Sequence, residues 1–320
     1  MQPALDIELN QPPEDGITKI TFLPQDNLLL ASSWDTSVRI YDTLHNSLRL
    51  KYNHKASVLD CCFSDNLHLF SAGIDRGIIM FDVAGGTEIP LGSHNEPVRS
   101  LVWDPTSNAL LSGGWDLTLR VWDPRSQDRQ VGCYQQPERV YAMDLTGNYI
   151  IVGTAARHVW IWDLRHMNEP VQRRESSLKY QTRCVRAFPD GDGYVLSSTE
   201  GRVAMEYIDP SSEVQAKKYI FKCHRVNIDG IDYAYPVNTI AYHPIQGTFA
   251  TGGGDGHVCI WDGKHKKRLA QLRKYPISIS SVDFSSDGAY LAIASSYTFE
   301  EGEKDHPPDK IYVRSLNTFM

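Results

Sequence analysis

The 320-residue sequence has no long apolar run, no cysteines at metal-site spacing and no excess of positive charge. No stretch approaches the roughly 20 apolar residues that a membrane-spanning helix needs. Residues 1–11 lack the basic start and apolar centre of a signal peptide. The six cysteines never form Cys-x-x-Cys, which favours reduced core residues of an intracellular protein over disulfides or a zinc site. We therefore expect no metal and no membrane contact.

Signatures of catalysis and of nucleotide binding are also missing. The net charge of −7 argues against general nucleic-acid binding. No Gly-x-Gly-x-x-Gly opens a helix, and no Walker loop or His-Glu-x-x-His is present. The glycine-rich stretch 252–256 falls at a predicted turn, and no pair of nucleophile and base is evident. The sequence therefore predicts a binding module without a cofactor, and not an enzyme.

A repeated unit is the strongest feature present. Residues 115–123 and 34–42 each hold an alternating strand-like segment between two aspartates seven residues apart. The unit recurs with a period of about 40 residues and often ends in Trp-Asp, as in a four-stranded propeller blade. The seven closing pairs begin at Tyr41, Phe81, Trp122, Trp162, Glu206, Trp261 and Arg314.

Seven such repeats predict one all-β domain over residues 1–320, a seven-bladed WD-repeat β-propeller. The predicted repeats cover residues 17–42, 57–82, 97–123, 138–163, 181–207, 236–262 and 278–315. The alternating segment 4–9 should pair with the last repeat and close the ring, which removes free sheet edges. Residues 226–235 lengthen one connection between blades. Residues 297–309 interrupt the last repeat, and we expect them to form a mobile acidic loop.

Polar residues near the turns have a structural interpretation. His54 and His94 precede the turn aspartates Asp75 and Asp116 by the spacing usual in WD repeats. These groups favour a structural hydrogen-bond network over catalysis. Ser32 and Ser112 are predicted to belong to the same kind of network.

Chain topology places two tryptophans and several basic residues on one face. In a WD blade, the turns between the second and third strands share the top face with the links between blades. Those turns supply Trp34, Trp115 and Arg202, whereas the links supply Lys179, Arg183, Lys222 and Arg225.

Exposed tryptophans at such positions favour protein-binding anchors, although packing onto a neighbouring loop is the alternative. The basic tracts 171–186 and 214–225 should converge on the top of blades five and six. They would form an anion site there, or merely a solvated face.

Several segments resemble a known family. They are the Arg-Arg-Glu-Ser-Ser-Leu-Lys-Tyr-Gln-Thr-Arg run within residues 172–184, together with residues 11–17, 32–39, 200–204 and 219–225. The sequence closely resembles the spindle-checkpoint WD-repeat propellers of the budding-uninhibited-by-benzimidazoles (BUB) group.

The resemblance implies a non-enzymatic scaffold, monomeric by itself, that acts in the nucleus and at kinetochores. It implies binding of BUB-type checkpoint kinases through GLEBS-type motifs, and of phosphorylated Met-Glu-Leu-Thr repeats of the kinetochore scaffold. It also implies association with the checkpoint complex that inhibits the anaphase-promoting complex. Trp34, Trp115, Arg183 and Arg202 occupy matching positions on the top face, with Lys222 and Arg225 as supporting cations. Arg202 is our choice for the phosphate and Arg183 for a carboxylate of the kinase motif.

Two other functions remain open from the sequence. The mRNA-export propeller of the nuclear pore is a relative that also binds a GLEBS-type segment. Trp122-Asp123-Pro124-Arg125 and Trp162-Asp163-Leu164-Arg165 match the WDxR signature of cullin ubiquitin-ligase receptors, which is widespread among propellers.

Overall fold

The computed structural model describes residues 6–24 and 26–316, and seven four-stranded antiparallel sheets make up its architecture. We name the strands of each sheet A to D in chain order. Blade one comprises Ile17–Phe22, Leu28–Ser33, Ser37–Asp42 and Ser47–Asn53. Blade two comprises Val58–Phe63, His68–Gly73, Gly77–Asp82 and Thr87–Ser93. Blade three comprises Val98–Asp104, Ala109–Gly114, Thr118–Trp122 and Gln130–Gln135. Blade four comprises Val140–Thr146, Tyr149–Thr154, His158–Asp163 and Gln172–Glu175. Blade five comprises Thr182–Ala187, Gly193–Ser198, Arg202–Tyr207 and Tyr219–Lys222. Blade six comprises Val237–Tyr242, Phe249–Gly253, Val258–Asp262 and Lys267–Gln271.

Blade seven combines both ends of the chain. Strands A to C are Ile279–Phe284, Tyr290–Ser295 and Lys310–Ser315, and the fourth strand is the N-terminal Asp6–Glu8. Asp6 lies opposite Arg314, and Glu8 lies opposite Tyr312. The predicted seven-bladed propeller with an N-terminal closing strand is therefore confirmed, although residues 4 and 5 of the predicted segment lie outside the described residues.

The hydrophobic core lies between neighbouring blades. Strand B of each blade is buried on both faces, as in Tyr149–Thr154, where Ile150, Ile151 and Val152 are all fully buried. Such strands show a continuous apolar run because neighbouring sheets cover both of their faces. In one representative cluster, Val159 and Ile161 of blade four pack against Val185 and Leu196 of blade five.

The innermost strands are linked across the gaps between blades by carboxylates. Strand A has no partner strand on its channel side, so some of its N–H groups need other acceptors. Asp60 accepts from the N–H of Leu101 at 2.8 Å, and Asp283 accepts from the N–H of Phe22 at 2.8 Å. Burial raises the pKa of Asp283. These bonds join each carboxylate to the backbone of the adjacent blade.

A bulge recurs at the top of every strand A. The register between strands A and B shifts by one residue at the same place in all seven blades. Bulges re-aim a side chain out of the regular ladder. The extra residues are Thr18, Leu59, Arg99, Tyr141, Arg183, Asn238 and Ser280.

The two insertions are both folded. Residues 226–235 lie in a hairpin of Arg225–Ile228 and Ile231–Ala234, whose Asp229-Gly230 turn has positive φ at both positions. The expected acidic loop winds around Tyr297, whose hydroxyl donates to the carbonyl of Gly302 at 2.9 Å. The short elements Ala155–Arg157 (3-10) and Ser212–Gln215 (α) complete the structure.

Candidate functional site

The tight B–C turns on the top face are built around their aspartates. In blade three, Asp116 lies 3.0 Å from His94 Nδ1, and His94 Nε2 lies 2.7 Å from Ser112 Oγ. Trp122 Nε1 donates to the same Ser112 hydroxyl at 2.7 Å. Burial acts to raise the pKa of Asp116, but hydrogen bonds from His94 and Thr118 outweigh it and hold that pKa below its usual range. These contacts fix the turn that presents Trp115.

Blade two has the same arrangement, and blade six has one that the sequence analysis missed. His54 lies 3.0 Å from Asp75, as the spacing predicted. His224 lies 2.8 Å from both Asp255 and Thr251 Oγ1, and so completes the network of blade six. The hairpin inserted between His224 and Asp255 stretches their separation to 31 residues, which hides the pattern.

In blade one, the predicted role of Ser32 is wrong. Its hydroxyl is paired with Thr18 Oγ1 at 2.8 Å, and not with a histidine of a turn network. Arg39 binds Asp35 at 2.9 Å, just as Arg120 binds Asp116 at 3.0 Å in blade three, so blade one keeps the arginine contact of the turn. The turn is nevertheless well anchored, since Asp35 also accepts from the N–H of Ser37 at 2.8 Å.

The two top-face tryptophans differ in exposure. Trp34 is 47% exposed. Its backbone N–H donates to the carbonyl of Gly16 at 2.8 Å. Trp115 is only half-buried, not fully exposed as we expected. Its Nε1 is buried without a hydrogen-bond partner among the described residues. Trp34 therefore offers an open aromatic surface, whereas Trp115 offers an edge.

Arg202 and Lys222 form a basic pair at the top of blade five. They are direct cross-strand neighbours, which places their Cβ atoms about 4.5–5.5 Å apart on one face of the sheet. The Lys222 side chain is exposed. Arg202 Nε lies 3.2 Å from Glu200, an ion-pair distance without hydrogen-bond geometry. Within this pair, Glu200 thus forms its ion pair with Arg202.

Glu200 and Arg225 hold the turn beneath this pair. Glu200 occupies the place of a turn aspartate and accepts from the N–H of Lys179 at 3.2 Å. Arg225 donates to the carbonyls of Glu200 at 2.6 Å and Gly201 at 3.4 Å. Gly201 has φ +63°, and a side chain there would meet the carbonyl of Cys223 at 2.7 Å. Arg225 is therefore occupied in supporting the turn.

Arg183 lies at the mouth of the central channel. It is the bulged residue of blade five, and its Nε is buried with no hydrogen-bond partner in the described part of the chain. Burial lowers the pKa of Arg183, the positive charge of Arg99 lowers it further, and Glu300 opposes the shift. Arg99 is the bulged residue of blade three, so two arginines contribute positive charge to this mouth. The sequence analysis did not single out Arg99.

The two basic tracts do not converge as a whole, which corrects the sequence-based expectation. Arg186 is directed inward and donates to the carbonyl of Ile240 at 3.0 Å. Arg174 binds the carbonyls of Tyr207 and Ile208 near the bottom of blade five. Lys217 and Lys218 precede strand D, at the end opposite Lys222. Successive strands run in opposite directions, so a tract longer than one turn is distributed over both faces.

Comparison with known proteins identifies the family. The WD domain, G-beta repeat family matches residues 8–42, 88–123 and 218–262. The mitotic checkpoint protein BUB3.1 of Arabidopsis thaliana is 55% identical over 98% of this chain and 94% of its own length. The mitotic checkpoint protein bub3 of Dictyostelium discoideum is 49% identical over 97% of this chain and 94% of its own. This chain belongs to the BUB3 family of mitotic checkpoint proteins.

This chain is also similar, at lower identity, to a protein named for RNA export. The poly(A)+ RNA export protein of Schizosaccharomyces pombe is 36% identical, over 93% of this chain and 86% of its own. The solved structure of U3-55K superposes with a TM-score of 0.85 at 16% identity, covering 97% of this chain and 98% of that one. At that identity the superposition shows the propeller fold alone.

The WDxR arginines of this BUB3-family chain bind their own aspartates. Arg125 Nε donates to Asp123 at 2.8 Å, and Arg165 Nε donates to Asp163 at 2.9 Å. The hydrogen bond from Arg165 lowers the pKa of Asp163 to about 2. These pairs close C–D turns on the bottom face, which explains the motif structurally. No helix among the described residues is long and apolar enough to cross a membrane.

Proposed function

We propose that this protein is a non-enzymatic scaffold of the mitotic spindle checkpoint, acting in the nucleus and at kinetochores. Its top face binds GLEBS-type motifs of checkpoint kinases and phosphorylated Met-Glu-Leu-Thr repeats of a kinetochore scaffold. It thereby brings the kinases to kinetochores and contributes to the complex that inhibits the anaphase-promoting complex. The names of relatives up to 55% identical support the checkpoint role over mRNA export, whose relative is 36% identical.

The observation that carries the phosphopeptide part is the juxtaposition of Arg202 and Lys222. The two cations lie on adjacent strands, and the single carboxylate paired with Arg202 is that of Glu200, so these three side chains together retain positive charge. A phosphothreonine brings about −1.5 to −2 charges and three acceptor oxygens. The Arg202 guanidinium can bind two of those oxygens as a fork, while Lys222 adds a point charge.

The GLEBS-type part rests on Trp34 and the channel mouth. Trp34 provides an exposed aromatic ring, and its backbone N–H is fixed by a hydrogen bond to the carbonyl of Gly16. Such rings are typical anchors of protein interfaces. Arg183 has a buried Nε without a partner, so a carboxylate of the kinase motif would satisfy it. Arg99 contributes further positive charge to the same mouth.

The direct test is a pull-down with the purified protein from mitotic and interphase extracts. We expect checkpoint kinases to be recovered from both extracts, and the kinetochore scaffold only from mitotic extract that has not been treated with phosphatase. Arg202→Ala should lose the scaffold and keep the kinases. Recovery of the scaffold regardless of phosphatase, or of poly(A) RNA-associated proteins in place of kinases, would overturn the proposal.

A further inference from the structure

A second charged surface lies on the bottom face, opposite the proposed checkpoint site. It combines the residues just after the helix Ser212–Gln215 of blade five with the C–D turn of blade six. The six exposed cations that form this basic ridge are Lys217, Lys218, Lys264, Lys266, Lys267 and Arg268. In a chain of net charge −7, such a cluster marks a local reversal of sign.

Aromatic contacts join the two halves of the ridge. The Tyr219 hydroxyl donates to the carbonyl of Gly263 at 2.6 Å, and Lys266 Nζ lies 4.7 Å from the centre of the Tyr219 ring. Blade five and the C–D turn of blade six are therefore held together at this point. The cations are presented by fixed turns, and not by a long loop.

A cleft of about 810 Å³ opens beside the ridge, below blades four and five. Its apolar lining comes mainly from Tyr149, Val171 and Val214, and Val171 is largely exposed. Lys217 lines the cleft and also belongs to the ridge, so the two surfaces are continuous.

Acidic groups also line the cleft. Asp192 and Asp209 both contribute to its lining. The pKa of Tyr207, which lines the cleft as well, is raised by burial and then by the charges of Asp190 and Asp192. A polyphosphate backbone crossing the cleft would meet these carboxylates, and it would gain little from the apolar wall. The surface therefore suits a ligand that is apolar at one end and acidic at the other.

We propose that the bottom face binds an extended peptide that carries a bulky apolar residue followed by a run of acidic residues. The apolar residue occupies the cleft between blades four and five, because burying it there removes apolar surface from water on both partners. The acidic run follows the ridge past Lys217 toward Lys266. Asp192 repels an acidic segment from the cleft, whereas the charge of Asp209 lies near Lys217, so the acidic run extends along the ridge and away from the cleft.

The test uses fluorescence anisotropy with the full-length protein and a labelled peptide of two leucines, a Gly-Ser spacer and five glutamates. We expect binding that weakens with added salt, because the exposed charges are screened within about 8–10 Å at 0.1–0.15 M. The counterparts with glutamines for the glutamates, or with serines for the leucines, should each bind about ten-fold more weakly, which corresponds to about 1.4 kcal/mol. Equal binding of either counterpart would overturn the two-part site.

Matched variants separate this face from the top face. Lys264→Ala/Lys266→Ala/Lys267→Ala and, separately, Val171→Glu should each weaken the peptide about ten-fold. The equally charged control Lys51→Ala/Lys55→Ala/Lys274→Ala, whose lysines are exposed elsewhere, should keep full affinity. The variant Arg202→Ala/Lys222→Ala should also keep full affinity for this peptide. Its binding of a phosphorylated Met-Glu-Leu-Thr peptide tests the proposed function of the top face separately.

Two further outcomes would contradict the proposal. Loss of binding only in Arg202→Ala/Lys222→Ala would place the acidic peptide on the top face. Tighter binding of a labelled single-stranded oligonucleotide than of the peptide, abolished by the same triple lysine variant, would make the ridge a nucleic-acid site. The lysine variants and Val171→Glu should melt within a few degrees of the parent protein, because those side chains are exposed, and the melting temperature of Arg202→Ala/Lys222→Ala is measured beside them because Arg202 is only partly exposed.

Discussion

Arg202 lies directly opposite Lys222 on neighbouring antiparallel strands at the top of blade five. Like charges in this position repel each other and cost a few tenths of a kcal/mol or more. Glu200 compensates only in part, because it reaches Arg202 and the N–H of Lys179, while the Lys222 side chain remains exposed. A dianionic ligand would relieve this repulsion, so we expect a phosphate to stabilise the pair when it binds.

Removing Lys222 should therefore affect stability and binding in opposite directions. We expect Lys222→Gln to leave the free energy of unfolding unchanged or to raise it by up to about 0.5 kcal/mol. The same variant should bind a phosphorylated Met-Glu-Leu-Thr peptide several-fold more weakly. Denaturant titration and calorimetry measure the two quantities, with the exposed Lys51→Gln as control. A clear loss of stability would mean that Lys222 is a structural residue.

The two tryptophans should respond differently to truncation. Trp34→Ala should weaken a GLEBS-type peptide by about 2 kcal/mol or more and leave the melting temperature unchanged, because the ring is largely exposed. Trp115→Ala should weaken the peptide less and lower the melting temperature by several degrees, because this ring is half-buried. Calorimetry and thermal melting of both variants check this contrast. Unchanged peptide affinity in Trp34→Ala would remove it from the interface.

Ring closure depends on a buried carboxylate of the N-terminal strand. The Asp6 side chain is 1% exposed and binds Arg273 at 2.7 Å, Tyr275 at 3.0 Å and Arg314 at 3.1 Å. Asp6→Asn should lower the free energy of unfolding by about 3 kcal/mol, because it removes a buried negative charge that faces the largely buried Arg314. Glu8→Gln removes only an exposed ion pair with Lys310 and should cost less than about 1 kcal/mol. Equal effects of the two substitutions, seen in urea titrations, would contradict the closing role of this strand.

The network of blade three predicts a dependence of stability on pH. Burial lowers the pKa of His94, so the folded state keeps this ring neutral where the unfolded chain, with a pKa of about 6.5, becomes protonated. The unfolded state then binds more protons, and the free energy of unfolding falls as the pH decreases from 7 to 5. The lowered pKa of Asp116 acts in the same direction, but only near and below pH 4.

The variant His94→Gln isolates that contribution. It should be less stable than the parent protein at pH 7, by about 1–3 kcal/mol, and its stability should fall less steeply between pH 7 and 5. Urea titrations at half-unit intervals give both slopes. Identical slopes would show that His94 does not titrate differently in the folded and unfolded states.

The fold was predictable because the same residue types make the same structural contacts in each regular repeat. Each Trp-Asp ending and turn aspartate, such as Asp116, performs the same local task in every regular blade, so one unit predicts the others. The prediction was wrong for Ser32 of blade one, whose hydroxyl is paired with Thr18 and not with a turn histidine. His224 was missed because an insertion changed only its spacing. The Asp229-Gly230 pair between alternating apolar residues was a local signal for the inserted hairpin.

The site was predictable only in part. Strand order correctly placed Trp34, Arg202 and Lys222 on one face, because it depends on topology alone. Topology could not tell that Arg225 is occupied by turn carbonyls or that Trp115 is half-buried, since both depend on side-chain packing. It also could not reveal Arg99, whose role depends on a bulge that leaves no residue-type signature.

The measurement that tests the central claim most directly is anisotropy with paired phosphorylated and unphosphorylated Met-Glu-Leu-Thr peptides. The wild-type protein should prefer the phosphorylated peptide, and this preference should decrease as salt rises. Arg202→Ala should lose most of the preference, whereas Arg173→Ala, which removes an exposed arginine of the basic tract 171–186, should keep it. If Arg202→Ala retains the full preference for phosphate, Arg202 does not bind the phosphate and the basic pair is only a solvated face.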